Sequence, residues 1–144
     1  MAALDLIIFG ASGDLSARKL FPALFQLERL NLLGDDLRIA AVARTQQSID
    51  EFSPTLRDSM SSYMGKDSPS DDEWTSFTSR FSYLSVNFSE PDQYSKLREW
   101  LDDDRISLFY FATPPSLFAP ICEHLSNTNC LAGDCRIVVE KPIG

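Results

Sequence analysis

Phe9-Gly10-Ala11-Ser12-Gly13-Asp14-Leu15 is the stretch that decides the fold. It follows Leu4–Phe9, a short apolar run that reads as a strand. It opens residues 15–33, where Leu20, Leu24, Leu27, Leu30 and Leu33 recur mostly at three- and four-residue intervals and predict a helix, with Gly34 as its stop. A strand passing into a helix through two glycines is the setting a phosphate-binding loop requires. Gly10 lets the chain turn sharply, and Gly13 has no side chain to block an approaching pyrophosphate. The first free N–H groups of the helix point at the anion, aided by the positive end of the helix dipole, and Ser12 can add a hydroxyl hydrogen bond. The match to the dinucleotide fingerprint G-x-G-x-x-G is incomplete: counted from Gly10, the second glycine position is Ser12 and the third is Leu15. A tight strand-to-helix turn without a ligand is the alternative reading.

Outward from this joint, strand-like and helix-like segments alternate. Residues 37–43, 81–86, 106–112 and 135–140 read as further strands. Ser48 with Glu51 and Ser70 with Glu73 both fit a capping box, predicting helices near 49–63 and 71–79. Between them, residues 65–72 are polar, contain Pro69 and read as a surface loop. Residues 91–101 present Tyr94, Leu97 and Leu101 on one helical face, and residues 115–126 form a helix with proline near its first turn. Continuous apolar strands separated by helices indicate a sheet buried on both faces. The expected fold is α/β: a Rossmann-type, doubly wound, mostly parallel sheet with helices on both sides. No repeat or interdomain linker interrupts it. The acidic residues at 71–73 and 102–104 read as solvated helix ends.

The chain of 144 residues, 44% of them hydrophobic, suffices for one domain with a real core. Its formal net charge of −8 argues against nucleic acid or an anionic membrane as partner. A few local cations and backbone N–H groups can still hold an anionic ligand. There is no apolar run of the roughly 18 residues that a membrane span requires. The N-terminus enters the first strand without a cleavable apolar stretch, and a cytoplasmic protein is expected. The three cysteines Cys122, Cys130 and Cys135 form no C-x-x-C and read as reduced thiols. The single histidine, His124, reads as a helix-surface residue, and no metal site is expected.

Three further segments carry chemistry. Arg44 and Thr45 end the second strand, where this fold meets the adenosine ribose. A guanidinium there suits a 2′-phosphate, through charge-assisted bonds, and Thr45 could add a hydroxyl; an acidic residue would instead favour the unphosphorylated ribose. A solvated surface arginine is the alternative. Phe111-Ala112-Thr113-Pro114-Pro115 ends the fourth strand and could wall the nicotinamide ring, or serve only as a rigid connector. Glu140-Lys141-Pro142-Ile143-Gly144 ends the fifth, placing a lysine at the same carboxyl edge; alone this motif is weak.

Taken in order, these motifs resemble glucose-6-phosphate dehydrogenases. The resemblance runs from about Leu4 to Gly144: G-A-S-G-D-L at Gly10 to Leu15, followed by Arg18 and Lys19; the arginine at Arg44; the Pro-Pro turn at Pro114 and Pro115; and E-K-P-x-G at Glu140 to Gly144. It implies that residues 1–144 form an NADP-binding domain, with the pyrophosphate held by Gly10, Ala11, Ser12, Gly13, Asp14 and Leu15. Arg44 and Thr45 would read the 2′-phosphate. Ser85 and Val86 would lie along the adenosine, Ala112 and Pro114 along the nicotinamide, and Lys141 would contact both coenzyme and glucose 6-phosphate. Two positions depart from the family: Phe118 stands where many members have tyrosine, and Ser85 where some bacterial members have aspartate. The implied reaction is hydride transfer from C1 of glucose 6-phosphate to NADP, giving 6-phosphogluconolactone, the first step of the pentose phosphate pathway. The family's general-base histidine, its remaining sugar-phosphate ligands and the sheet through which it forms homo-oligomers lie beyond the E-K-P motif. The expectation is therefore that this chain lacks the second domain, contains no catalytic residue, binds coenzyme and is inactive alone. Two other readings remain: a Rossmann domain like those of glucose–fructose oxidoreductase and the inositol dehydrogenases, which share the A-T-P turn and E-K-P, and a non-catalytic nucleotide sensor.

Overall fold

Beyond Leu4, every residue of strand β1 (Leu4–Phe9) is buried, so both of its faces must be covered by other parts of the chain. The same holds for β2 (Arg38–Ala43) beyond its first residue. With β3 (Phe81–Ser85), β4 (Ile106–Phe111) and β5 (Cys135–Val139) they form one sheet, in the order β3-β2-β1-β4-β5. All four neighbouring pairs are parallel. The computed structural model describes residues 3–139; the E-K-P-x-G motif, including Lys141, lies outside them.

The pleat sends alternate residues to opposite faces. Leu6, Ile8, Ile39, Ala41 and Phe81 face a core with helices α1 (Phe21–Arg29), α2 (Ile49–Met64) and α3 (Asp71–Thr78), which contribute Phe21, Phe25, Phe52, Met60 and Phe77. Ile7, Phe9, Val42, Phe109 and Phe111 face a second core with α4 (Tyr94–Trp100) and α5 (Phe118–Asn127), which contribute Tyr94, Leu97, Ile121 and Leu125. This is the doubly wound architecture expected from the alternating apolar segments. Its order reverses between β1 and β4, the switch point where open α/β sheets place their ligands.

Both capping boxes form as the sequence suggests: Ser48 and Ser70 accept from the N–H groups of Glu51 and Glu73, whose carboxylates accept in return. The first helix differs from expectation at both ends. Ser16–Leu20 form a wide turn near its start, and the Phe21 N–H reaches back to the Ser16 carbonyl. Pro22 follows directly; in a regular helix its ring would press on the Arg18 carbonyl, and the wide turn makes room for it. The helix then stops at Arg29, before Gly34. Asn31 takes a left-handed conformation (φ 57°), while the Leu32 N–H bonds Leu27 O and the Asn31 N–H bonds Glu28 O. That pair of bonds is a Schellman stop, a role asparagine can fill. Leu30 and Leu32, past the last helical residue, are exposed. His124 is not a free surface residue: it is half-buried, and its ring packs 5.3 Å from that of Tyr94.

Candidate functional site

A cleft of about 600 Å³ opens at the carboxyl edge of the sheet, lined by residues that include Gly10, Ser12, Gly13, Arg44, Thr45, Ala112, Thr113 and Pro114. Its floor is the joint between β1 and the first helix. Gly10 has φ +87°, a conformation that L side chains rarely adopt. A Cβ on Gly10 would lie 2.6 Å from the Ala112 carbonyl oxygen, so β4 can come this close only because the position is glycine. The loop is fixed from below: the Gly10 and Ala11 N–H groups donate to Val42 O, the Gly13 N–H donates to Gly10 O, and the buried Ser16 hydroxyl donates to the same oxygen at 3.0 Å.

Those bonds settle which amides remain for a ligand. The first helical bond runs from Ala17 N to Gly13 O. Among the described residues, the N–H groups of Ser12, Asp14, Leu15 and Ser16 make no backbone hydrogen bond at this helix start. Unpaired amides of this kind at a helix start are the groups through which helix N-termini can bind anions. The side chains of the predicted loop divide differently. Ala11 is buried and does not face the cleft. The Asp14 carboxylate accepts the Tyr63 hydroxyl at 2.8 Å and pairs with Arg18 at 3.4 Å, so Asp14 can contribute its amide but its carboxylate is engaged elsewhere.

Arg44 stands exposed on the β2 side of the cleft, and its guanidinium has no ion-pair partner among the described residues. Its segment is tied to β3. The Tyr83 hydroxyl donates to Thr45 O at 2.7 Å, the Ser85 hydroxyl reaches Arg44 O at 3.5 Å, and Lys96 Nζ donates to Ser85 O at 2.7 Å. Ser85 and Val86 thus lie behind the cleft rather than in it; Val86 is fully buried, and the wall at this point is Asn87 and Phe88. Phe118, the tyrosine replacement, packs its ring 5.7 Å from Phe111.

The sequence reading missed Ser16, Tyr83, Asn87 and Phe88. Only Ser16 had a local signal, as a hydroxyl in the first turn after the glycines. The others reach the site through strand pairing, which one-dimensional patterning does not show. A second hollow of about 640 Å³ lies at the opposite, amino edge of the sheet, among Arg38, Arg80 and Arg105. There Arg38 and Arg105 bind the buried Asp5 carboxylate at 2.5–2.8 Å, and Arg80 binds Glu28 at 3.0 Å, so these cations serve the protein itself. Burial pushes the Cys122 and Cys130 thiols up, away from thiolate reactivity at neutral pH.

Parallel strands in the order found, a glycine joint at the switch point and a cleft over the strand ends define a Rossmann-type nucleotide-binding domain. The chain belongs to the family described as "Glucose-6-phosphate dehydrogenase, NAD binding domain", which matches residues 7–144. It is 34% identical over 144 residues to the glucose-6-phosphate 1-dehydrogenase of Dickeya dadantii and 35% identical over 144 residues to that of Gluconobacter oxydans, covering 99% and 97% of this chain. Its fold is similar to the crystal structure of glucose-6-phosphate 1-dehydrogenase from Mycobacterium avium, with TM-score 0.89 and 34% identity over 99% of this chain. A glucose-6-phosphate dehydrogenase in complex with glucose 6-phosphate superposes with TM-score 0.80 at 32% identity, again over 99% of this chain. The chain spans 29% of the length of the two sequence relatives and 30–31% of the two structures. Among the described residues, no helix is long and apolar enough to cross a membrane.

Proposed function

We propose that this chain binds NADP across the carboxyl edge of its sheet, as the coenzyme-binding part of an enzyme that oxidises glucose 6-phosphate to 6-phosphogluconolactone. Arg44 carries the choice of coenzyme: an exposed guanidinium without an ion-pair partner among the described residues, at the end of β2 and beside a glycine joint that admits a pyrophosphate. The chain as a whole is acidic, so such a cation at the cleft marks where an anion is taken.

The residues fit the coenzyme in sequence along the cleft. The free amides of Ser12, Asp14, Leu15 and Ser16 receive the pyrophosphate, and the Ser12 hydroxyl adds a donor. Arg44, with Thr45, receives the 2′-phosphate. The adenosine runs past the end of β3, and the nicotinamide half past Ala112 and Pro114. Arg18 offsets the Asp14 carboxylate at this anion-binding end. When bound, the coenzyme supplies the acceptor for the hydride leaving C1 of the sugar. None of the cleft residues Gly10, Ser12, Gly13, Arg44, Thr45, Asn87, Ala112, Thr113 and Pro114 is a carboxylate or a histidine able to take the C1 proton. His124 packs against Tyr94 and is not among the cleft residues. The proposal therefore takes the general base from outside this cleft lining, and Lys141 remains the proposed contact to both coenzyme and sugar phosphate. A homo-oligomeric, cytoplasmic enzyme is part of the same proposal.

The direct test is NADPH formation by the enzyme that contains this chain, with glucose 6-phosphate and myo-inositol compared as substrates. Turnover on glucose 6-phosphate is expected. Turnover on inositol alone would favour the inositol dehydrogenase reading.

A further inference from the structure

Thr113 sits in the turn after β4 and lines the cleft beside Gly10 and Gly13. Its Oγ1 is buried and has no hydrogen-bond partner among the described residues. Its methyl carbon, Cγ2, lies 3.1 Å from where a Cβ on Gly10 would stand. An unsatisfied buried hydroxyl is destabilising, whereas valine would fill the same volume without that cost. Packing therefore does not account for the hydroxyl. The backbone gives it little help: Pro114 follows directly, has no N–H to offer, and restricts the conformation of Thr113 itself.

We propose that Thr113 is a coenzyme-binding residue whose hydroxyl bonds the nicotinamide ribose. The assignment rests on the dinucleotide reading above, and the strand order fixes which half of the coenzyme is involved. Arg44 lies on the β2 side of β1 and Thr113 on the β4 side. A dinucleotide with its 2′-phosphate at Arg44 and its pyrophosphate over Gly10 to Gly13 continues across β4, so the sugar beside Thr113 is the second ribose. That ribose offers hydroxyls that donate and accept, as the threonine hydroxyl does. One 120° step about χ1 carries Oγ1 from its buried position to another staggered position of this cleft-lining side chain. The step breaks no hydrogen bond to a described residue, because the hydroxyl makes none among them. The same group thus weakens the protein alone slightly and strengthens its complex.

The test compares Thr113→Val and Thr113→Ser with the wild-type protein, titrated with NADP and with adenosine 2′,5′-bisphosphate, which lacks the nicotinamide half. Thr113→Val is expected to weaken NADP roughly five- to ten-fold, the loss of one net hydrogen bond, and to leave the bisphosphate unchanged. Its melting temperature without ligand is expected to equal or exceed that of the wild type. Thr113→Ser, which keeps the hydroxyl, is expected to hold NADP within about two-fold. Unchanged NADP binding in Thr113→Val would overturn the assignment. So would equal losses for both ligands, or equal losses in the valine and serine variants, since these point to packing rather than to a bond. If the wild type takes up neither ligand, the dinucleotide reading itself fails, and the assignment with it.

Discussion

Gly10 shows how much a single residue decides. Its positive φ and its contact with Ala112 O are two separate demands, and only a hydrogen side chain meets both. Gly10→Ala is expected to cost about 2–4 kcal/mol of stability, from backbone strain and the displacement of β4. Denaturant unfolding would measure it, and coenzyme affinity should fall in parallel because the same displacement distorts the cleft. A sharp turn at Gly10 could be read from the sequence; what crowds it could not, because Ala112 arrives from a strand far along the chain. Asp14 illustrates the same limit. Its place in the loop could be read, yet its carboxylate is taken by Tyr63, 49 residues away, which leaves its amide as the useful group.

At the scale of elements, the legible features are those whose partners are close in sequence. Both capping boxes join residues three apart, and both form. The sequence points to Gly34 as the helix stop and the structure places that stop at Asn31, because both residues can take a left-handed turn and the periodic leucines run past the true end. Longer-range ties escape such patterning, and two of them bear on behaviour. Glu73 in the second box also binds Arg29, at 2.8 Å, and that bond, with those from Ser70, holds its carboxyl down from the ordinary 4.5 to about 2. A depressed folded-state pKa means that this stabilisation is complete above about 4.5 and is lost as pH falls toward 2. Thermal melts across that window should therefore show a steeper loss in the wild type than in Glu73→Gln, which does not titrate. Tyr83 ties β3 to the segment carrying Arg44 by its bond to Thr45 O. Tyr83→Phe removes one hydrogen bond of about 1 kcal/mol. If Arg44 reads the 2′-phosphate as proposed, the variant weakens NADP several-fold and NAD less, as compared by titration.

Across the whole molecule, the two edges at the strand ends differ. Helices on both sides leave the middle of the sheet inaccessible, so the chain's chemistry is confined to the strand ends. At the amino edge, Arg38 and Arg105 close on the buried Asp5; at the carboxyl edge, Arg44 stands without such a partner among the described residues. Arginines thus differ in their pairing according to the edge they occupy, a distinction that strand order makes visible and residue counts do not. The outer strand β5 leaves Ile137, Val138 and Val139 exposed, unlike the buried strands β1 and β2. The central claim, that this carboxyl edge reads the 2′-phosphate of NADP through Arg44, is tested most directly by titrating the wild type and Arg44→Ala with NADP and with NAD. A loss of roughly 1.5–3 kcal/mol for NADP, the scale of a charge-assisted bond, is expected, with NAD nearly unchanged. Equal losses for the two coenzymes, or none for NADP, would contradict it.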